Sequence, residues 1–207
     1  MADAPSSLVE LLAVMHQLRA DCDWKRAQTH RSLARYLLEE THETLEAIDS
    51  GDLEHLREEL GDLLLQVYFH AVIAEESGDF TFEDVAGDIV AKLRRRNPHV
   101  FGDATASGPV AVNELWESIK AAEKERSSVT DGLPPGLPAL LYADKVLDRL
   151  GRGPTPPALP PGSDDLGDRL LALVAEARTD GVDPELALRD AVRRLLTPPG
   201  RHQDPHL

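Results

Sequence analysis

Cysteine is nearly missing from this chain: its 207 residues carry one, Cys22. A lone cysteine excludes an internal disulfide framework and a multi-cysteine zinc site. Aromatic residues make up only 4%, so a core must be built from leucine, valine, isoleucine and alanine. Leu and Ala lose little on entering a helix, so the palette favours helices. Basic residues are outnumbered, 22 Lys and Arg against 37 Asp and Glu, for a formal net charge of -15. That balance argues against binding nucleic acid by general charge attraction. An acidic chain still binds an anionic substrate where a metal intervenes or basic side chains cluster. No apolar run approaches the ~18 residues of a membrane span. The stretch from Met1 to Ser7 lacks the basic and apolar regions of a signal peptide. The expectation is a cytoplasmic protein with no nucleic-acid or membrane partner.

Hydrophobic residues are 42% of the chain, enough for a packed core, and their spacing predicts helices joined by short breaks. Helices are expected from Ser7 to about Ala20, Thr29 to Ile48, Leu53 to Glu76, Thr81 to Arg96 and Asn113 to about Arg126. Asp49-Ser50-Gly51-Asp52 reads as a stop and restart, with Gly51 suited to a helix end and Asp52 to the next N-cap. Asn97-Pro98 stops the fourth helix. No strand alternation is evident, so the fold class is all-α. The chain changes character near residue 130, beyond which lie twelve of the fifteen prolines. The expected division is a helical domain over 1–130 and a Pro-rich second part over 131–207. That second part holds helices at about Ala139–Leu150, Asp164–Ala177 and Pro184–Leu196, a linker from Gly151 to Gly162, and a disordered tail after Thr197.

The chemistry is concentrated around Gly51. A helix turns about 100° per residue, so Glu39, Glu40 and Glu43 share one arc of about 100°. Glu59 and Asp62 share another face at i, i+3 spacing. Glu43 lies eight residues before Gly51 and Glu59 eight after; Glu40 lies eleven before and Asp62 eleven after. An antiparallel hairpin therefore brings four carboxylates to matching heights. Glu-rich helix faces are commonplace and solvated; the matched pairs about one turn are what favour a site. The carboxylates flank two apolar stripes, Leu33, Leu37, Leu45 and Ile48 on one helix and Leu56, Leu60, Leu63 and Val67 on the other. Beside a packed core such a cluster is costly unless a cation relieves it. A hard divalent ion such as Mg²⁺ takes oxygen ligands and keeps waters for a phosphate to replace. Gly61, in mid-helix, suggests a close helix approach.

These motifs resemble the all-α nucleoside triphosphate pyrophosphohydrolases of the MazG type. That family's signature is E-E-x-x-E, a spacer, then E-x-x-D, matched by Glu39-Glu40-x-x-Glu43 and Glu59-x-x-Asp62. The resemblance runs over about residues 8–126. It includes Trp24 with Gln28-Thr29, the run from Lys92 through Arg96 to Phe101, and Trp116 with Lys120. It implies a MazG-like helical bundle whose antiparallel helix pair carries the metal-binding carboxylates. Glu40, Glu43, Glu59 and Asp62 would be the Mg²⁺ ligands, with Mn²⁺ a possible substitute, and Glu39 would position or deprotonate the attacking water. Lys92, Arg95 and Arg96 would hold phosphates, Trp116 and Lys120 would contact the nucleotide, and Trp24 would line the pocket. It also implies hydrolysis of NTPs or dNTPs to the monophosphate and pyrophosphate, a role in clearing surplus or damaged nucleotides, and a homodimer. Read without the resemblance, the basic run equally complements a helix C-terminus, and Trp116 is more often a core or interface anchor than a platform for a base. Where family members often carry Gly-Cys-Pro-Trp, this chain has Asp21-Cys22-Asp23-Trp24, which leaves the shape of that pocket edge open.

The second part resembles a worn second copy of the domain. Leu60-Gly-Asp-Leu-Leu64 is echoed by Leu166-Gly-Asp-Arg-Leu-Leu171, but no E-E-x-x-E precedes Asp165. The expectation is one active domain and a non-catalytic tail, with a plain Pro-rich extension as the competing reading. Two other functions compete for the whole chain. Glu39-x-x-His42 has the spacing of a di-iron motif, although Glu59 is followed at i+3 by Asp62 rather than histidine. A helical nucleotide-binding protein without turnover is the other.

Overall fold

The computed structural model describes residues 6–123, 128–152 and 162–196. Ten helices and no strands occur among them: α1 Ser7–Asp21, α2 Asp23–Arg26, α3 His30–Ser50, α4 Leu53–Ser77, α5 Phe82–Arg96, α6 Pro98–Phe101, α7 Pro109–Ala122, α8 Ala139–Gly151, α9 Leu166–Thr179 and α10 Pro184–Leu196. None is long and apolar enough to cross a membrane. The chain divides into two compact units, Met1–Lys120 and Ala121–His206.

The first unit is organised by the α3–α4 hairpin. Thr29 caps α3 in a reciprocal box: its hydroxyl accepts from the Ser32 N–H at 3.1 Å, and the Ser32 hydroxyl accepts from the Thr29 N–H at 2.9 Å. Gly51 ends α3 at φ 72°, a left-handed conformation that costs glycine nothing. Asp52 starts α4, its carboxylate accepting from the Glu54 and His55 N–H groups at 3.0 and 3.1 Å. A joint this short leaves the two helices antiparallel and packed along their length. Thr81 and Asp84 form a second capping box at the start of α5, which packs on α4.

The core of this unit gathers Met15 of α1, Leu33 of α3, and Tyr68, Phe69, Val72 and Ile73 of α4. Tyr68 resolves its buried hydroxyl by donating to the Leu8 carbonyl at 3.1 Å, and its ring lies 4.0 Å from that of Phe82. Arg19 is buried beside them. Its guanidinium donates to both Glu76 oxygens and to the carbonyls of Lys25, Arg26 and Gln28, tying α2 to α1 and α4.

The apolar stripes expected from spacing meet the core only in part. Leu33 is buried, but Leu37, Ile48, Leu60 and Val67 are exposed. The hairpin is rotated so that Thr44 and Ala47 turn inward. Their small side chains permit close packing, and the Thr44 hydroxyl satisfies itself on the Glu40 carbonyl at 2.8 Å. Gly61 does not mark a close approach, since a Cβ there would meet nothing within 4 Å. The expected start of the fifth long helix also moves, from Asn113 to Pro109. Proline is favoured in a first turn because its missing N–H would be unpaired there anyway. Its expected end at Arg126 lies outside the described residues, as do most of the Pro-rich linker and the tail beyond Thr197.

In the second unit, α8, α9 and α10 pack on one another around Leu147 and Val174. Arg178 of α9 clasps α8 through the Asp144 carboxylate at 2.6 Å and the Asp148 carboxylate at 2.9 Å. Asp165 caps α9 by accepting from the Asp168 N–H at 3.0 Å, while the Asp168 carboxylate accepts from the Ser163 hydroxyl at 2.7 Å. Both aspartates are thus engaged in starting a helix.

Two stability measurements check this packing. Phe69→Ala should lose about 3–5 kcal/mol in urea denaturation, because it empties the shared face of three helices. The hydrogen bonds from Arg19 hold the Glu76 carboxyl below its ordinary 4.5. That contact therefore stabilises fully above about pH 4.5 and is lost as pH falls through the lower folded value. Glu76→Gln should flatten this acid limb of the stability curve; an unchanged limb would show that the pair does not contribute.

Candidate active site

Of the four carboxylates counted about Gly51, the hairpin gathers three, and Asp62 is not in that group. One ligand oxygen each from Glu40, Glu43 and Glu59 lies within 4.8 Å of the others. Asp62, one turn along α4 from Glu59, adds its charge to Glu40. Burial pushes the Glu40 carboxyl up, and the negative charges of Asp62, Glu43 and Glu59, with a hydrogen bond to Glu43, push it further the same way. Glu59 is only 8% exposed. One of its oxygens meets His55 Nε2 at 3.1 Å, and the other is buried without a hydrogen-bond partner. Three converging carboxylates with an orphaned buried oxygen among them fit a divalent cation with oxygen ligands: it would supply the missing partner and cancel the repulsion.

The other expected site residues fall into two groups, one linked to Tyr36 of α3 and one on α5 and α7. Glu39 is outside the triplet, turned to solvent and held by Arg35 at 3.3 Å across one helical turn. Trp24, on α2, is half-exposed. Its ring meets Tyr36 of α3 edge-on with centroids 6.1 Å apart, and Lys25 Nζ lies 5.1 Å from both the Trp24 and Phe69 rings. Lys92, Arg95 and Arg96 fill the last turn and a half of α5. Arg96 is buried, with its guanidinium 5.4 Å from the centre of the Trp116 ring. Lys120, one turn beyond Trp116 on α7, donates to both oxygens of Glu117, at 3.0 and 3.2 Å. Arg96 and Trp116, far apart in sequence, thus form one unit, while the basic run rides on a helix separate from the carboxylate hairpin. His42 is exposed, and the metal-capable group among the described residues contains carboxylates alone.

Sequence reasoning missed His55, Gln66 and the pair His30–His70. The His55–Glu59 spacing of i, i+4 was the available signal for the first. Gln66 and His70 continue the Glu59–Asp62 face at i+4 steps, a pattern that looks like ordinary core until burial is known.

The MazG nucleotide pyrophosphohydrolase domain matches residues 28–101, a span that contains all five carboxylates and the basic run but neither tryptophan. The nucleoside triphosphate pyrophosphohydrolase/pyrophosphatase MazG of Thermotoga maritima is 39% identical, over 95% of this chain and 85% of its own. The nucleoside triphosphate pyrophosphohydrolase of Escherichia coli K12 is 42% identical over 84% of this chain and 68% of its own. That of Mycobacterium tuberculosis is 44% identical over 89% of this chain but 54% of its own. A solved mazG-related protein from Thermotoga maritima overlays 55% of this chain and 98% of its own, with a TM-score of 0.48 at 26% identity. With relatives this similar over most of both chains, and the carboxylates of its hairpin brought together, the chain belongs to the MazG family of nucleoside triphosphate pyrophosphohydrolases.

Proposed function

We propose that this protein hydrolyses nucleoside triphosphates between the α- and β-phosphates. Water adds to phosphorus, the bridging bond breaks, and the products are a nucleoside monophosphate and pyrophosphate. The observation that carries this reading is the trio Glu40, Glu43 and Glu59 within 4.8 Å, on a chain whose relatives are named for this reaction.

Glu40, Glu43, Glu59 and Asp62 would hold Mg²⁺, with Mn²⁺ as a substitute. When bound, the ion neutralises phosphate charge and lowers the pKa of a coordinated water. Glu39, beside the cluster and steadied by Arg35, accepts the proton of the attacking water. Lys92, Arg95 and Arg96 bind the phosphates and stabilise charge building on the leaving pyrophosphate. Arg96 is steadied for this by the face of Trp116. Trp116 and Lys120 contact the nucleotide, and Trp24 lines the pocket edge. No covalent intermediate is needed. The biological role would be removal of surplus or damaged nucleotides. The second unit would be a degenerate repeat without catalysis: Asp165 and Asp168 are engaged in capping α9, and no E-E-x-x-E precedes them.

A second copy of the chain is the proposed partner. Leu38, Ile48, Leu53, Leu60 and Val67, all on the hairpin, are exposed in the single chain. Apolar surface concentrated on the element that carries the site is what an interface between copies would cover.

Two experiments test the reading. With Mg²⁺, each NTP and dNTP should give monophosphate and pyrophosphate by chromatography, with activity abolished by EDTA and by Glu40→Ala/Glu43→Ala; diphosphate and orthophosphate would show that another bond is cut. In thermal unfolding, Mg²⁺ at a hundredfold excess over its Kd should stabilise the wild type by about 2.7 kcal/mol. Glu40→Gln in EDTA should melt above wild type, since a repelling carboxylate is gone, and should gain much less from Mg²⁺. Equal responses of the two proteins would remove Glu40 from the metal site.

A further inference from the structure

Three buried side-chain atoms on α4 have no hydrogen-bond partner among the described residues: Glu59 Oε2, Gln66 Oε1 and His70 Nε2. At about 100° per residue, Glu59, Asp62, Gln66 and His70 fall within an arc of about 80°, so they form one polar stripe. A folded protein satisfies nearly all its buried polar groups, and a row of orphans on a single helix face needs an explanation. A cation held by the carboxylates would account for the first. It does not account for the other two, which lie about 6 and 12 Å beyond Asp62 along the helix axis.

Gln66 is only 5% exposed, and its amide offers an acceptor and two donors in a fixed plane. His70 is held from its far side: its Nδ1 meets His30 Nδ1 at 2.7 Å, and the two rings stack with centroids 5.0 Å apart and planes 2° from parallel. One ring nitrogen of His70 is therefore spent on orientation, and the other is left for something else. Burial and the neighbouring His30 both hold the His70 pKa below its ordinary value, which favours a neutral ring that can donate or accept according to tautomer. On the facing helix, Tyr36 lies fifteen residues before Gly51, as Gln66 lies fifteen after. Tyr36 is the residue against which Trp24 packs edge-on. By that count Tyr36 stands level with Gln66, and the stripe runs from carboxylates at one end to two uncharged hydrogen-bonding groups at the other. A nucleotide has the same two ends, phosphates that take a cation and a base that takes neutral hydrogen-bonding groups.

We propose that the α3–α4 seam from Asp62 to His70 is the nucleoside subsite, where the Gln66 amide and His70 Nε2 hydrogen-bond the base of a nucleotide whose phosphates lie at the carboxylate cluster. This rests on the reading of that cluster as the phosphate end. In the free protein the two groups are left buried without partners, and the base supplies what is missing. Neutral donors and acceptors suit a base edge and not a phosphate, which the basic residues serve.

The test is calorimetric titration of the full chain, wild type and Gln66→Met, with non-hydrolysable triphosphate analogues of the four bases and with inorganic pyrophosphate. Methionine keeps the length of the side chain and removes the orphan. The variant should unfold at a temperature equal to or above wild type. It should bind its best nucleotide about tenfold more weakly, the loss expected for one buried hydrogen bond, and bind pyrophosphate within about twofold of wild type. Unchanged nucleotide affinity, or equal losses for nucleotide and pyrophosphate, overturns the proposal. A change of oligomeric state at unchanged nucleotide affinity overturns it too, giving the seam to a second copy. In the wild type itself, the side-chain amide resonances of Gln66 should shift on adding nucleotide and not on adding pyrophosphate; amide resonances that stay put also overturn it. Absence of triphosphate turnover sinks the hydrolase reading, while the binding comparison decides the subsite separately.

Discussion

Bringing Glu40, Glu43 and Glu59 within 4.8 Å of one another works against folding, because like charges repel and burial disfavours the ionised form of Glu40. Everything else in the first unit has to hold that arrangement in place. The two-residue joint fixes the register, with Gly51 in the left-handed region and Asp52 capping the next helix. The core behind it, Met15, Leu33, Tyr68, Phe69, Val72 and Ile73, lies mostly toward the far end of α4, so the apolar anchor and the charged cluster occupy different lengths of one long helix. A divalent cation held by these carboxylates would turn the same repulsion into binding energy.

The same division of labour extends to the rest of the unit. Arg19 joins α1, α2 and α4 by bonding Glu76 and three carbonyls, and α2 is what presents Trp24 to Tyr36. An arginine buried for structural reasons therefore fixes where Trp24 meets Tyr36. Arg96 shows the reverse arrangement. It is buried against Trp116, so a cation suited to phosphate is steadied by an aromatic ring from a separate helix. In both cases side chains carried by separate helices set the position of a group the chemistry would use.

The outward face of the hairpin follows from the rotation that seats Thr44 and Ala47 inside. Leu60 and Val67 then turn away from the core on the helix that carries Glu59 and Asp62. A pairing of copies across this face would couple assembly to the geometry of the carboxylates, since both are displayed by the same two helices.

The sequence by itself determined the long helices and most of their ends, the start of α7 excepted. Gly51 and Asp52 carry local signals whose geometry depends on a few neighbouring residues and are found in their expected roles, while Thr29 and Thr81, expected as first helical residues, cap their helices one residue earlier. The approach of Glu40 and Glu43 to Glu59 was legible because a short joint makes register a matter of counting. Only the tertiary structure decided which way the hairpin rolls. Hydrophobic spacing put Leu37, Ile48, Leu60 and Val67 inside, whereas packing chose Thr44 and Ala47, since close approach of two helices rewards small side chains that hydropathy undervalues. Burial likewise separated Gln66 and His70 from ordinary core positions, and the contact of Arg96 with Trp116 joined residues of two different helices. Local chemistry sets where a helix begins and ends; which side of it faces its neighbours is a collective choice of every helix packed against it.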